Sequence, residues 1–274
     1  MKRIIFARPD NVPPSYKDFW RLAEVSGFEI WPFCDINLQL PDVTYIFAPA
    51  TKELLKLSSI IPRRSELIWW NLERPDSGLW KLHETEKGAS NDVDTIWAFV
   101  DRIWVSDRYY ATLHPKLEYV TLGSDLGLRD LPDEISGVYE LCHLSYVNAR
   151  RDLIFSKLSG KASMAPCGWG KDRARILCSS RAMLYVHQTP ALILPPLRFA
   201  LAAAYGRPVI SEMVHDPYPF KDAVHFVPYE NLVEVVTSLL AEEGPRSDGK
   251  LQELLTEEFT FRRCVVAAVE GRPL

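Results

Sequence analysis

Cysteine is sparse in this 274-residue chain, and no two cysteines are spaced C-x-x-C. Cys34, Cys142, Cys167, Cys178 and Cys264 are odd in number and scattered, which excludes a zinc framework and a disulfide scaffold and reads as reduced thiols. The six histidines include no H-x-x-x-H pair, so no metal site is expected from them. There is no G-x-G-x-x-G, no Walker A sequence and no G-x-S-x-G elbow, which argues against a dehydrogenase, an NTPase and a serine hydrolase of the usual kinds. Asp92-Val93-Asp94 is formally D-x-D but precedes a helical pattern with no strand before it, so helix capping is the expected role. Long apolar runs are also missing. None approaches a membrane span, and the start, MKRIIFARPD, has a four-residue apolar run, too short for a signal peptide. A cytoplasmic location without a membrane span is the expectation.

The composition is that of a globular protein, 47% hydrophobic and 25% charged, and the length suits two domains. The net charge of −4 conceals an asymmetry. Residues 1–135 hold 16 Lys/Arg against 21 Asp/Glu, and the remainder 16 against 15. Between Ser145 and Arg198 nine basic residues face only Asp152 and Asp172. Local positive charge in an acidic chain suggests a bound anion, with two or three of the nine touching it and the rest solvated. The acidic first half has no basic stripe of the kind that duplex DNA requires.

The stretch Ala182 to Glu212, AMLYVHQTPALILPPLRFALAAAYGRPVISE, organises the second half. An apolar strand is followed by polar His187, Gln188 and Thr189. A loop ending at Pro195-Pro196 leads to an alanine-rich helix, then Gly206 and a second apolar strand. This is a βαβ unit, and such units hold anions where strands end and helices begin. Arg198 falls in the helix's first turn, where the dipole disfavours a cation unless an anion is near.

Along the chain, strands are expected at Arg3–Ala7, Phe28–Phe33, Val43–Ala48, Glu66–Trp70, Arg102–Val105, Glu118–Leu122, Val138–Leu144 and Val224–Val227. Helices intervene, one of them capped by Ser15 and another by Ser106, and a further one follows Asn148. The alternation predicts parallel sheets, and Trp69 and Trp70, being adjacent in a strand, must face opposite sides. Glycine, proline and charge mark 126–137 as a linker. The expected organisation is 1–125, linker, 138–255, and a C-terminal helix in 256–274 that packs back at the domain junction. Two such α/β halves would face each other across a ligand cleft.

The motif order resembles that of compact GT-B glycosyltransferases, close to the group 1 relatives. RIWVSD and EYVTLGSD resemble the last acceptor-domain strands, and CHLSYVNARRD the first strand and loop of the donor domain. LYVHQTP, PPLRFALAAAYGRPVISE and VPYENLVEVVTSLL match the donor-binding core, most clearly within Trp104 to Leu240. The resemblance implies two Rossmann-like doubly wound α/β domains and transfer of a hexosyl or pentosyl group from a nucleotide-sugar, UDP- or GDP-linked, without cofactor or obligatory metal. It implies that Arg150 or Arg151, with Arg198 and the amides near Leu197, holds the diphosphate. His187, Gln188 and Thr189 would face the donor sugar or its phosphate. Glu212 would accept from ribose or sugar hydroxyls, unless it pairs with Arg207. The acceptor, bound by the first domain, would be a glycan, protein, small molecule or nucleic-acid base. Glu73 and Asp10 are the candidate catalytic carboxylates, with Trp80 a candidate stacking surface. Leucine stands at position 201, where many relatives carry a glutamate on the ribose. That departure leaves open a catalytically inactive relative that binds a nucleotide-sugar or a partner protein.

Overall fold

The computed structural model describes residues 2–10, 12, 16–48, 63–72, 82–84, 88–90, 98–130, 138–168, 171–190, 192–242 and 249–274. The chain divides into two compact units, Met1–Thr121 with Arg262–Leu274, and Leu122–Phe261.

Unit 1 begins with β1 (Arg3–Arg8), α1 (Lys17–Val25), β2 (Glu29–Pro32), β3 (Val43–Phe47) and β4 (Glu66–Asn71). A short hairpin, β5 (Leu82–Glu84) and β6 (Gly88–Ser90), precedes β7 (Arg102–Val105), α2 (Arg108–Ala111) and β8 (Leu117–Tyr119). Six strands form a parallel sheet in the order β2-β1-β3-β4-β7-β8. Trp69 and Trp70 are both buried, at 2% and 0% exposure, so this sheet is covered on both faces. Trp70 packs edge-on against Phe19 and Trp104, and its Nε1 donates to Ser106 Oγ at 2.8 Å.

That hydrogen bond corrects one expectation. Ser106 serves Trp70, and the cap of α2 is Asp107, whose carboxylate accepts from the Tyr110 amide at 3.1 Å. Ser15 lies outside the described residues. Helix α1 ends where its sequence says it should: Gly27 takes φ 76, and the Ser26, Gly27 and Phe28 amides close onto Leu22, Glu24 and Ala23.

Unit 2 contains β9 (Tyr139–Cys142), α3 (Ala149–Leu158), α4 (Lys171–Ser179) and β10 (Ser180–Tyr185). It continues with α5 (Pro196–Ala204), β11 (Val209–Glu212), β12 (His225–Val227), α6 (Leu232–Ala241) and α7 (Lys250–Glu253). Its four strands are parallel in the order β12-β11-β10-β9. Period-two alternation sends Ala182, Leu184 and Val186 to one face, against Ile154 and Leu158 of α3 and Leu232 and Val236 of α6. Tyr185 goes to the other face, where its ring meets Phe199 of α5. Helices therefore pack on both faces, the doubly wound arrangement.

Residues 126–130, expected as linker, belong to unit 2 and carry a 3-10 turn at Leu126–Leu128, with the Asp130 amide donating to the Tyr205 hydroxyl. Residues 131–137 lie outside the described set. The last helix, α8 (Phe261–Val269), contributes residues from Arg262 onward to unit 1. There Arg262 donates to the Ser26 and Gly27 carbonyls, and Arg102 to that of Ala268. Among the described residues, no helix is long and apolar enough to cross a membrane.

Candidate functional site

The parallel registers of unit 2 bring the carboxyl ends of β9, β10 and β11 side by side, with Met183 opposite Cys142 and Tyr185 opposite Ser211. His187, Gln188 and Thr189 follow β10, Glu212 closes β11, and Arg150, Arg151 and Arg198 stand in the first turns of α3 and α5. The reason is topological: right-handed parallel crossovers return each loop to the same edge of the sheet.

Arg198 stands in the first turn of α5, which starts on Pro196. Its Nε donates to Leu144 O at 3.0 Å and to Ser145 Oγ at 2.9 Å, both just past β9. Its terminal nitrogens make no hydrogen bond among the described residues, so the planar fork is oriented at one corner and open at the other two. Leu197, beside it, is buried.

Arg151 is a framework residue. It is 4% exposed, and it donates to Val186 O at 2.8 Å and to Tyr146 O at 2.6 Å. Asn148 caps its helix by accepting from the Arg151 amide and reaches Gln188 O through Nδ2 at 2.8 Å. Gln188 is exposed and Thr189 half-buried.

The resemblance implies Arg150 or Arg151 on the diphosphate and Glu212 on ribose or sugar hydroxyls, but Arg150 and Glu212 satisfy each other. Glu212 is 1% exposed and accepts from Arg150 Nη1 at 2.7 Å and Nη2 at 2.5 Å, and from the His187 amide at 2.9 Å. Arg150 also donates to His187 O, and its guanidinium lies 3.9 Å from the Tyr229 ring centroid. The alternative partner, Arg207, is not the one used. A buried carboxylate so compensated requires no ligand, and so its burial is no argument for one.

Three guanidinium groups form one electrostatic neighbourhood. Arg173 on α4 is 1% exposed, and burial, then the charge of Arg198, push its pKa down to about 9. The sequence lists it only among nine cations; burial at an i, i+3, i+4 position with Ile176 and Leu177 is the signal that could have found it. Burial, then Arg151 and Arg198, push His143 down to about 3, which keeps its ring neutral. Burial raises the Cys167 thiol, while the same two arginines oppose that shift. Arg151 and Arg198 thus stand together at the carboxyl edge of β9 and β10, bound to the Val186, Tyr146 and Leu144 carbonyls, and paired cations in such a place attract anions.

In unit 1, Asp10 follows β1 and is exposed. Glu73, Trp80 and the Asp92–Asp94 pair lie outside the described residues. Among the described residues no group of three His, Cys, Asp or Glu side chains is placed to hold a metal ion. A cavity of about 170 Å³ lined by Gly206, Lys221, His225 and Gln252 lies at the amino ends of β11 and β12 and contains none of the site's side chains.

The two α/β units, each built on an all-parallel sheet, have the GT-B fold seen in solved glycosyltransferases. The likeness extends over the whole chain. Anabaena HepE, solved in complex with UDP-glucose, matches at TM-score 0.62 over 98% of this chain and 99% of its own, with 8% identity. AviGT4, a glycosyltransferase of avilamycin A biosynthesis, matches at 0.56 over 97% of both chains with 12% identity. WaaG, a glycosyltransferase of lipopolysaccharide biosynthesis, matches at 0.55 over 98% of this chain and all of its own, with 10% identity. The sequence matches no protein-family model and no curated protein.

Proposed function

We propose that the protein is a glycosyltransferase that moves a sugar from a nucleotide-sugar donor, held by unit 2, to an acceptor bound by unit 1. One observation carries this reading: Arg198, fixed through Nε at the first turn of α5, keeps its terminal nitrogens for an anion beside Arg151 and Arg173. The donor's diphosphate is such an anion. As the bond from the sugar's anomeric carbon to the diphosphate breaks and the bond to the acceptor forms, negative charge grows on the leaving phosphate. Prepositioned cations stabilise that charge more than the ground state. Arginines supply here the positive charge for which other transferases use a metal, hence the proposal that none is obligatory. The acceptor's proton passes to a carboxylate, with Glu73 and Asp10 the candidates, or to the departing phosphate.

A second reading, a nucleotide-sugar-binding protein without turnover, has Leu201 in its favour. That side chain is 3% exposed within α5 and offers no polar contact where the resemblance places a glutamate.

The test is a thermal-shift panel of UDP, GDP, ADP, CMP and their sugars. A ligand at a hundredfold excess over its Kd stabilises by about 2.7 kcal/mol, a shift of several degrees. Arg198→Ala is expected to lose that shift while remaining folded. An unchanged response in this variant refutes the site, and tight binding without slow release of nucleoside diphosphate favours the second reading.

A further inference from the structure

A second group of cations gathers at the opposite end of the unit 2 sheet. Helix α5 closes at Gly206, which takes φ 62 while its amide and that of Arg207 donate to Ala203 O and Ala202 O. That exit sets Arg207 just before β11. The parallel register pairs Ile210 with His225, the first residue of β12, so Lys221 and His225 arrive at the same edge. Gly249, at φ 74, turns the chain into α7 and brings Lys250 and Gln252 beside them. These three segments enclose the cavity of about 170 Å³, lined by Arg207, Lys221, Asp222, His225, Lys250 and Gln252 among others. The four residues of β11 rise roughly 13 Å, so the cavity lies a strand length from the carboxyl edge.

Charge in the cavity is one-sided. Arg207, Lys221 and Lys250 are cationic, and Asp222 is the one carboxylate among the lining residues. Lys221 and Lys250 are exposed, whereas Arg207 is half-buried and its Nε is buried without a hydrogen-bond partner. Among the described residues no ion pair joins Arg207 to Asp222. A guanidinium partly withdrawn from water with a donor unmet carries a cost that an anion at its terminal nitrogens offsets. The volume is several times the ~30 Å³ that one water occupies in the liquid, which admits a polyatomic anion. Arginine's planar fork suits paired phosphate oxygens, and two ammonium groups nearby favour a dianion over a carboxylate. We infer that this cavity binds the phosphate group of a small ligand, inorganic phosphate or a phosphomonoester, at a site separate from the carboxyl edge. Arg207 grips the oxygens, Lys221 and Lys250 supply charge, and His225 and Gln252 offer further hydrogen bonds. The inference stands without the donor reading.

The test titrates the ¹⁵N-labelled chain with inorganic phosphate, glycerol 3-phosphate or acetate, at an ionic strength fixed with chloride. Amide shifts of residues 206–208, 221–225 and 249–252 report the cavity in the wild type, Arg198→Ala, Arg207→Gln and Lys221→Glu. Saturable movement with both phosphates is expected, kept in Arg198→Ala, with acetate at least tenfold weaker. Phosphate affinity should fall about tenfold in Lys221→Glu and more in Arg207→Gln. Tighter glycerol 3-phosphate identifies an ester as the ligand; equal or tighter inorganic phosphate identifies the free ion. No saturable movement, acetate equal to phosphate, or affinity indifferent to Lys221→Glu overturns the assignment and leaves Arg207 to water. Movement lost in Arg198→Ala overturns it too, because phosphate then acts from the carboxyl edge. Should Arg207→Gln not fold, Lys221→Glu decides, since that side chain is exposed. Phosphate binding here with no nucleotide response would sink the donor reading alone.

Discussion

Glu212 at the end of β11 takes both terminal nitrogens of Arg150, 62 residues earlier in the first turn of α3, and the carboxylate is almost wholly buried. Removing one partner from such a pair leaves an uncompensated charge in the interior. Arg150→Met is expected to destabilise the protein by about 3 kcal/mol, the low end for buried pairs because Arg150 keeps 20% of its side chain exposed. The double variant R150M/E212L should recover most of that loss. Equilibrium urea unfolding of these and of Glu212→Leu alone gives the cycle, and a double-variant loss equal to the sum of the two single losses would show that the pair is not coupled.

Stability should fall on mild acidification. Histidine in the unfolded chain titrates near 6.5, whereas His187 and His143 are held at about 4 and about 3. Below pH 6.5 the unfolded state binds protons that the folded state refuses, so the contribution of each ring is complete above that pH. It is lost progressively as pH falls toward 4, on the order of 1 kcal/mol per pH unit per ring. His143→Leu should flatten the slope between pH 6.5 and 4. Unfolding curves at four pH values, wild type against variant, provide the measurement.

Ser145 orients the cation proposed to meet the diphosphate. Ser145→Ala removes one of the two acceptors on Arg198 Nε and leaves Leu144 O in place. Nucleoside diphosphate affinity is expected to weaken several-fold, about 1 kcal/mol, with little change in melting temperature. Titration calorimetry reads this directly, and an unaltered Kd would mean that Arg198 needs no such support.

Gly123 has no room for a side chain. A Cβ there would lie 1.9 Å from Phe259 O and 2.7 Å from the Phe261 nitrogen, both backbone atoms. Gly123→Ala must displace the 259–261 strand-like segment that pairs with Ser124, and a loss of about 2 kcal/mol or more is expected. A melting temperature within a degree of wild type would contradict this close approach.

Strand and helix identities were largely legible because their signals are local. Apolar runs of strand length, Pro196 at a helix start and Gly27 and Gly206 at left-handed exits each act within a few residues. The misassigned cap shows where local reading fails. Ser106 and Asp107 are equally good caps by type, and the choice was made by Trp70 Nε1, 36 residues away in sequence.

The sequence by itself determined that the chain alternates buried strands with helices and that positive charge gathers between Ser145 and Arg198, because periodicity and charge count need no partner. Only the tertiary structure decided which cation is taken up by a carboxylate. Arg150 and Arg198 are alike in sequence terms, yet one faces a carboxylate and the other does not. That difference depends on which strand ends the sheet order places side by side, and ion pairing at such range leaves no trace in residue spacing.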